Sequence, residues 1–137
     1  MSEAIDHLKV RAGATSVVLV GYSGGGAMAA LIAARRTDVV AMVTVAGNLD
    51  VAGWTAWHRI SPLKTSLDPS DFIRELSPIP QWHFTGADDA VVPSSLVRSF
   101  VDRFPDRSNA QIVEVRGFDH RCCWADAWPR LIVETGL

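Results

Sequence analysis

Side chains able to do nucleophilic chemistry stand at three punctuated places in the chain. Ser23 lies in Gly21-Tyr22-Ser23-Gly24-Gly25, and the carboxylates Asp88 and Asp89 lie in Gly86-Ala87-Asp88-Asp89-Ala90-Val91-Val92-Pro93. His120 closes Arg116-Gly117-Phe118-Asp119-His120. A serine hydroxyl is a poor nucleophile at neutral pH and needs a general base. Histidine titrates in the useful range, and a buried carboxylate holds its tautomer and stabilises the imidazolium that forms. Serine, carboxylate and histidine therefore make a workable set if the fold brings them together. A Gly-x-Ser-x-Gly motif alone arises by chance in roughly 4% of chains this long, and a glycine-rich turn also suits a bound phosphate. The elements that position the three places decide between these readings.

Val17 to Gly21 reads as a buried strand, apolar on both faces as parallel strands covered by helices are. The glycines around Ser23 permit a sharp turn into a helix from Gly24 to Arg36, with Arg35 and Arg36 complementing its C-terminal dipole. The start of that helix directs free N–H groups at the turn, where a developing oxyanion would sit. Upstream, residues 2–12 read as a helix with Ile5, Leu8 and Ala12 on one face and Gly13 as terminator. Downstream come a strand from Val39 to Ala46, a weakly periodic stretch from Gly47 to Ile79, and a short helix from Asp68-Pro69 to about Leu76. Strands follow at Gln81–Thr85 and Ile112–Val115, with helices from Pro93 (apolar face Leu96, Val97, Phe100, Val101, Phe104) and from Trp124 to Glu134. This alternation predicts an α/β fold, a parallel sheet flanked by helices. Ser23, the Asp88-Asp89 pair and His120 each follow a strand, at the end where such sheets bind ligands.

With those pieces in place, the chain resembles the C-terminal part of an α/β-hydrolase of the esterase and lipase kind. The resemblance rests on Gly21-Tyr22-Ser23-Gly24-Gly25 as nucleophile elbow, Gly86 to Pro93 as acid loop, Gly117-Phe118-Asp119-His120 as histidine loop, and the chain order Ser, Asp, His. It implies a single domain over residues 1–137 with a truncated α/β-hydrolase fold and a small cap-like segment at about 47–79. It further implies a serine hydrolase of carboxylic esters working through an acyl-enzyme, with Ser23 as nucleophile, His120 as base, Asp89 as acid and Gly24 N–H as oxyanion donor. The family's acid sits three residues after the glycine and four before the proline, which selects Asp89 and leaves Asp88 as a turn residue or outer acceptor. Asp50, just past the second strand, is the alternative acid. Tyr22, Trp54 and Trp57 are the expected substrate-binding residues, with core filling equally open for the two tryptophans.

The family usually has about four strands before the elbow strand, and only 22 residues precede Ser23 in this sequence. The loop that donates a second oxyanion N–H belongs to that part, and one lost donor costs about 2.7–4 kcal/mol in a well-studied protease. The expectation is therefore a hydrolase of reduced activity, with a catalytically silent binding module as the alternative. The elbow strand is expected to lie bare on one edge, which predicts a homodimer or a separate partner chain pairing there.

Other features restrict function by exclusion. The 137 residues, 48% hydrophobic and 20% charged, suit one folded domain, and a net charge of −2 without a Lys/Arg cluster argues against a nucleic-acid surface. No apolar run reaches membrane-spanning length, and the start has no signal-peptide anatomy, pointing to the cytoplasm. His7, His58 and His83 read as structural or solvent-exposed. Cys122 and Cys123 are adjacent, so they cannot staple distant segments; they read as buried thiols, one of them available to a segment outside the sequence. His120-Arg121-Cys122-Cys123 offers no paired Cys-x-x-Cys spacing for zinc, and no metal or organic cofactor is expected.

Overall fold

The computed structural model describes residues 1–137. Four strands, β1 (Val17–Tyr22), β2 (Val39–Val45), β3 (Gln81–Gly86) and β4 (Ala110–Val115), form one parallel sheet in the order β1-β2-β3-β4. Six helices surround it: α1 (Ser2–Ala12), α2 (Gly24–Ala33), α3 (Val51–Trp57), α4 (Ile73–Leu76), α5 (Ser94–Asp102) and α6 (Trp124–Val133), with a 3-10 turn at Pro69–Phe72 leading into α4. The architecture is the expected α/β sheet flanked by helices.

Alternation along β2 builds two cores on the two faces of the sheet. Met42 joins Ala29, Ala30 and Ala33 of α2 with Val97 and Phe100 of α5 on one face. Val43 and Val45 join Phe84 of β3 and Trp124 and Leu131 of α6 on the other. The run of small residues in α2 lets that helix lie close on the sheet, and all four of Ala29, Ala30, Leu31 and Ala33 are buried.

Three expectations are corrected. β1 is not buried on both faces: Val18, Val20 and Tyr22 are 40%, 51% and 46% exposed, because no helix covers them and only β2 pairs with the strand. Helix α2 stops at Ala33, so Arg36 does not cap it. Its guanidinium instead bridges Asp38 and Asp6, tying α1 to the β2 entry beside a Lys9–Asp38 pair. The stretch after β2 contains an unforeseen helix, α3, started by the Asp50 carboxylate accepting from Gly53 N at 2.7 Å. Gly13 does terminate α1, at φ 61 with its amide on Val10 O. Helix α1 buries no residue, and Leu8 on its expected apolar face is 63% exposed.

His83 sits wholly inside the core, its Nδ1 at 2.8 Å from Thr44 Oγ1 and its ring edge-on to Phe100. Burial favours the neutral ring and pushes its pKa from an ordinary 6.5 down to about 4. The unfolded chain takes up this proton from about pH 6.5, whereas the folded chain refuses it until about pH 4. Stability is thus fully present above 6.5 and falls as pH drops through that window, by about 3 kcal/mol from this group. Urea unfolding at several pH values is expected to show that loss, and His83→Gln is expected to remove it; equal slopes in the two proteins would refute the assignment.

Candidate active site

The carboxyl ends of the strands gather the chemically capable side chains. At the end of β1 the chain turns directly into α2, and Ser23 adopts φ 52, ψ −123. This region is costly for a residue with a Cβ, about 1–3 kcal/mol, and persists only where surroundings impose it. Here three backbone bonds do so: Ser23 N donates to Val45 O at 2.9 Å, while Ser23 O accepts from Gly26 N at 2.9 Å and Asn48 N at 3.1 Å. The turn also needs a bare Gly21, since a Cβ there would lie 2.2 Å from Gly25 O. With the backbone fixed, the half-buried hydroxyl faces outward beside the α2 N-terminus. The first N–H groups of a helix have no intrahelical acceptor, and that of Gly24 is one of them.

Beyond β3, Gly86 lets the acid loop approach the histidine loop: a Cβ on it would meet Phe118 O at 2.3 Å. Asp88 is exposed and its amide donates to Phe118 O at 3.0 Å, making it a turn residue. Asp89 is buried; its Oδ1 accepts from the amides of Val91 and Val92, each at 2.8 Å. Its Oδ2 lies 2.9 Å from His120 Nδ1, and His120 Nε2 lies 2.9 Å from Ser23 Oγ. A carboxylate only accepts, so Nδ1 carries the ring proton and Nε2 presents its lone pair to the Ser23 hydroxyl. The fold has thus brought Ser23, His120 and Asp89, 97 and 31 residues apart along the chain, into one hydrogen-bonded line. Such a line can take the serine proton onto the imidazole while a hydroxyl oxygen attacks an electrophile.

The remaining expected residues divide. Trp54 joins Ser23, Gly24, Asn48, Val91 and Val92 around a hollow of about 200 Å³, its indole N–H donating to Val91 O at 2.7 Å. Trp57 does not line this hollow and is 57% exposed, because it falls on the outer side of α3. Tyr22 also points away from the hollow: its hydroxyl donates to His120 O and its ring packs 5.4 Å from the imidazole, so it braces the histidine loop. It contributes instead to a larger apolar hollow of about 430 Å³, with Val20, Trp124 and Trp128. Asp50, the alternative acid, is occupied by the α3 cap and by Arg103 at 2.9 Å, with no contact to His120. His58 Nε2 lies 2.8 Å from Val91 O and packs on Trp54, while His7 is exposed on α1.

Cys122 and Cys123 are not buried thiols. Both are exposed, on the turn that leads into α6. Asn48 is the site residue that the pattern of motifs missed. Its signal was its place just past a strand end, in Gly47-Asn48, where ligand sites of parallel sheets lie.

A parallel sheet carrying a serine on the strand-to-helix turn, with a carboxylate and a histidine after later strands, defines an α/β-hydrolase fold. The family model described as serine hydrolase (FSH1) matches residues 2–120, a span that contains Ser23, Asp89 and His120. The chain belongs to this serine hydrolase family. No curated protein matches it. Among solved structures it is similar to an esterase of Pyrococcus furiosus, at 14% identity and TM-score 0.71, covering 96% of this chain and 57% of that one. It is similar also to Est1E from Butyrivibrio proteoclasticus (17%, TM-score 0.69, 96% and 66%). An α/β serine hydrolase homologue from Coxiella burnetii matches at 20% and TM-score 0.64, over 98% and 53%. The chain therefore spans between about half and two-thirds of the length of these proteins.

Proposed function

We propose that this chain hydrolyses small carboxylic esters through an acyl-enzyme formed on Ser23. The observation that carries the reading is the continuous line from buried Asp89 through His120 to Ser23 Oγ at the carboxyl end of the sheet. Ser23 Oγ attacks the ester carbonyl as Nε2 of His120 takes its proton. The Gly24 N–H faces the oxygen that becomes negative, with the α2 dipole behind it. Imidazolium then gives the proton to the departing alkoxide, which leaves as the alcohol, and Ser23 holds the acyl group. Water attacks that acyl group with the same histidine as base, releasing the acid and restoring Ser23. Trp54 and Val92 wall the hollow beside Ser23, whose volume of about 200 Å³ suits a short acyl group. No step in this sequence calls for a metal or organic cofactor.

A fluorophosphonate probe is expected to label wild type at Ser23, read by peptide mass mapping, and Ser23→Ala is expected to abolish labelling with the fold unchanged. Persistent labelling in Ser23→Ala would refute the role of Ser23, and no labelling in wild type would leave the binding-module reading in its place.

Asp89→Asn is expected to lower kcat for a p-nitrophenyl acetate substrate by about 10⁴-fold, as a mis-set histidine tautomer does in trypsin, with KM little changed. Asp50→Asn, which keeps a side-chain cap for α3 and loses the charge paired with Arg103, is expected to leave kcat nearly intact; the reverse ranking would move the acid to Asp50.

We further propose that the open edge of β1 pairs with a second copy of the chain. Two identical edges running antiparallel satisfy each other's backbone groups and close a symmetric dimer, and the exposed Val18 and Val20 would enter that contact. Sedimentation at micromolar concentration is expected to give a dimer that Val20→Lys dissociates. A wild-type monomer with rapidly exchanging β1 amides would refute it.

A further inference from the structure

Four buried side-chain atoms able to form hydrogen bonds have no partner: Asn48 Oδ1, Gln81 Oε1, His83 Nε2 and Thr85 Oγ1. The last three alternate along one face of β3, the face on which Phe100 packs. Asn48 stands elsewhere, at the hollow of about 200 Å³ beside Ser23. Of the side chains lining that hollow, Ser23, Asn48 and Trp54 carry polar atoms, and two of the three are engaged. Ser23 Oγ meets His120 Nε2, and Trp54 Nε1 donates to Val91 O. Gly24, Val91 and Val92 complete the wall. Asn48 Oδ1 is the acceptor left over. The backbone that carries it is pinned on both sides. Asn48 N donates to Ser23 O at 3.1 Å, and Gly47 before it lies so close to Thr44 that a Cβ would come within 2.8 Å of Thr44 Cβ. After it, Leu49 is buried and Asp50 caps α3. A buried acceptor without a donor lowers stability, and here the fold keeps one in fixed register with the nucleophile. Small-ligand sites have this make-up, a mostly apolar wall with a few placed polar groups that orient the ligand.

We propose that Asn48 is a substrate-binding residue that selects esters of short hydroxy acids, its side-chain amide accepting a hydrogen bond from a hydroxyl on the acyl chain close to the ester carbonyl. The proposal rests on the hydrolase reading above. An amide oxygen only accepts, so its partner on the substrate is a donor. No residue lining the hollow carries a charge to pair with an ammonium group, and an unpaired charge is costly to take out of water. A hydroxyl stays neutral, and because it both donates and accepts it satisfies either edge of the amide. The volume of about 200 Å³ admits a short chain. Asn48 N is bonded to the backbone of Ser23 itself, so the amide reaches atoms next to the reacting carbonyl and not the far end of a long chain. A plain acyl chain in the same place leaves Oδ1 facing methylene groups, unpaired, which is how a site built for a hydroxyl rejects the analogue that lacks it.

Matched p-nitrophenyl esters supply the test: 3-hydroxybutyrate against butyrate, and 2-hydroxypropanoate against propanoate, each corrected for its hydrolysis by hydroxide alone. In wild type, kcat/KM is expected to favour the hydroxylated member of at least one pair by about tenfold to a hundredfold, the order that leaving a buried amide unpaired costs. Asn48→Leu, close in shape but without the amide, is expected to bring that ratio to about one. The ratio is read within one protein, so a general loss of activity cancels from it, and a merely structural role for Asn48 would leave it unmoved. A wild-type ratio near one in both pairs, or the same preference in Asn48→Leu, would overturn the proposal. Binding is read without turnover in Ser23→Ala. Its Asn48 side-chain amide resonances are expected to shift with ethyl 3-hydroxybutyrate or ethyl 2-hydroxypropanoate, and not with ethyl butyrate or ethyl propanoate. Should wild type hydrolyse none of the esters and take up no fluorophosphonate, the hydrolase reading fails and these resonances decide alone, as they do if Asn48→Leu does not fold. A shift specific to the hydroxy esters then sustains the site, and no such shift overturns it.

Discussion

The backbone of Ser23 is the constraint on which the carboxyl end of the sheet depends. A residue with a Cβ does not rest at φ 52 of its own accord, and three hydrogen bonds from β2, α2 and the Asn48 segment hold it there. Because Ser23 N extends the β1–β2 ladder onto Val45 O, the turn inherits the rigidity of the sheet. The close passage of Gly21 beneath Gly25 then fixes where α2 begins, and with it where the Gly24 amide points. One local distortion thereby sets the position of the hydroxyl and of the dipole behind it.

The acid and histidine loops form a second unit, joined to the first at Ser23 and at Tyr22. Gly86 permits the chain after β3 to touch Phe118 O, and Asp88 N binds the same carbonyl, so the loops after β3 and β4 move as one. Asp89 is anchored by two backbone amides through one oxygen, leaving the other free for the imidazole. Tyr22 adds a strut from β1 to the histidine loop. The line between the units is the 2.9 Å hydrogen bond from His120 to Ser23.

Much of this was legible in the sequence because local and global signals agree. Apolar β-branched runs marked β1, β2 and β4, glycine and proline marked strand ends, and motif order placed Ser23, Asp89 and His120 after the first, third and fourth strands. Three things were not legible, each for a physical reason. Helix α3 has too short an apolar stripe to show periodicity, and its start depends on a side-chain cap by Asp50 that competes with the acid reading of that residue. The outward turn of Trp57 and the bracing role of Tyr22 depend on which side of an element faces the site, which tertiary packing decides. The bare face of β1 could not be read from composition either, since Val18 and Val20 look the same covered or uncovered.

The two edges of the sheet bear on how the molecule comes apart. β2 and β3 have strands on either side, whereas β1 and β4 each have one sheet neighbour. Opening free energy is lowest where buried contacts are fewest. Ser23 and His120 therefore each hang from an edge strand, while Asp89 follows the enclosed β3. Fraying at either edge would break the line through His120 while β2 and β3 stay paired, so loss of reactivity and loss of fold would occur as two events at two temperatures.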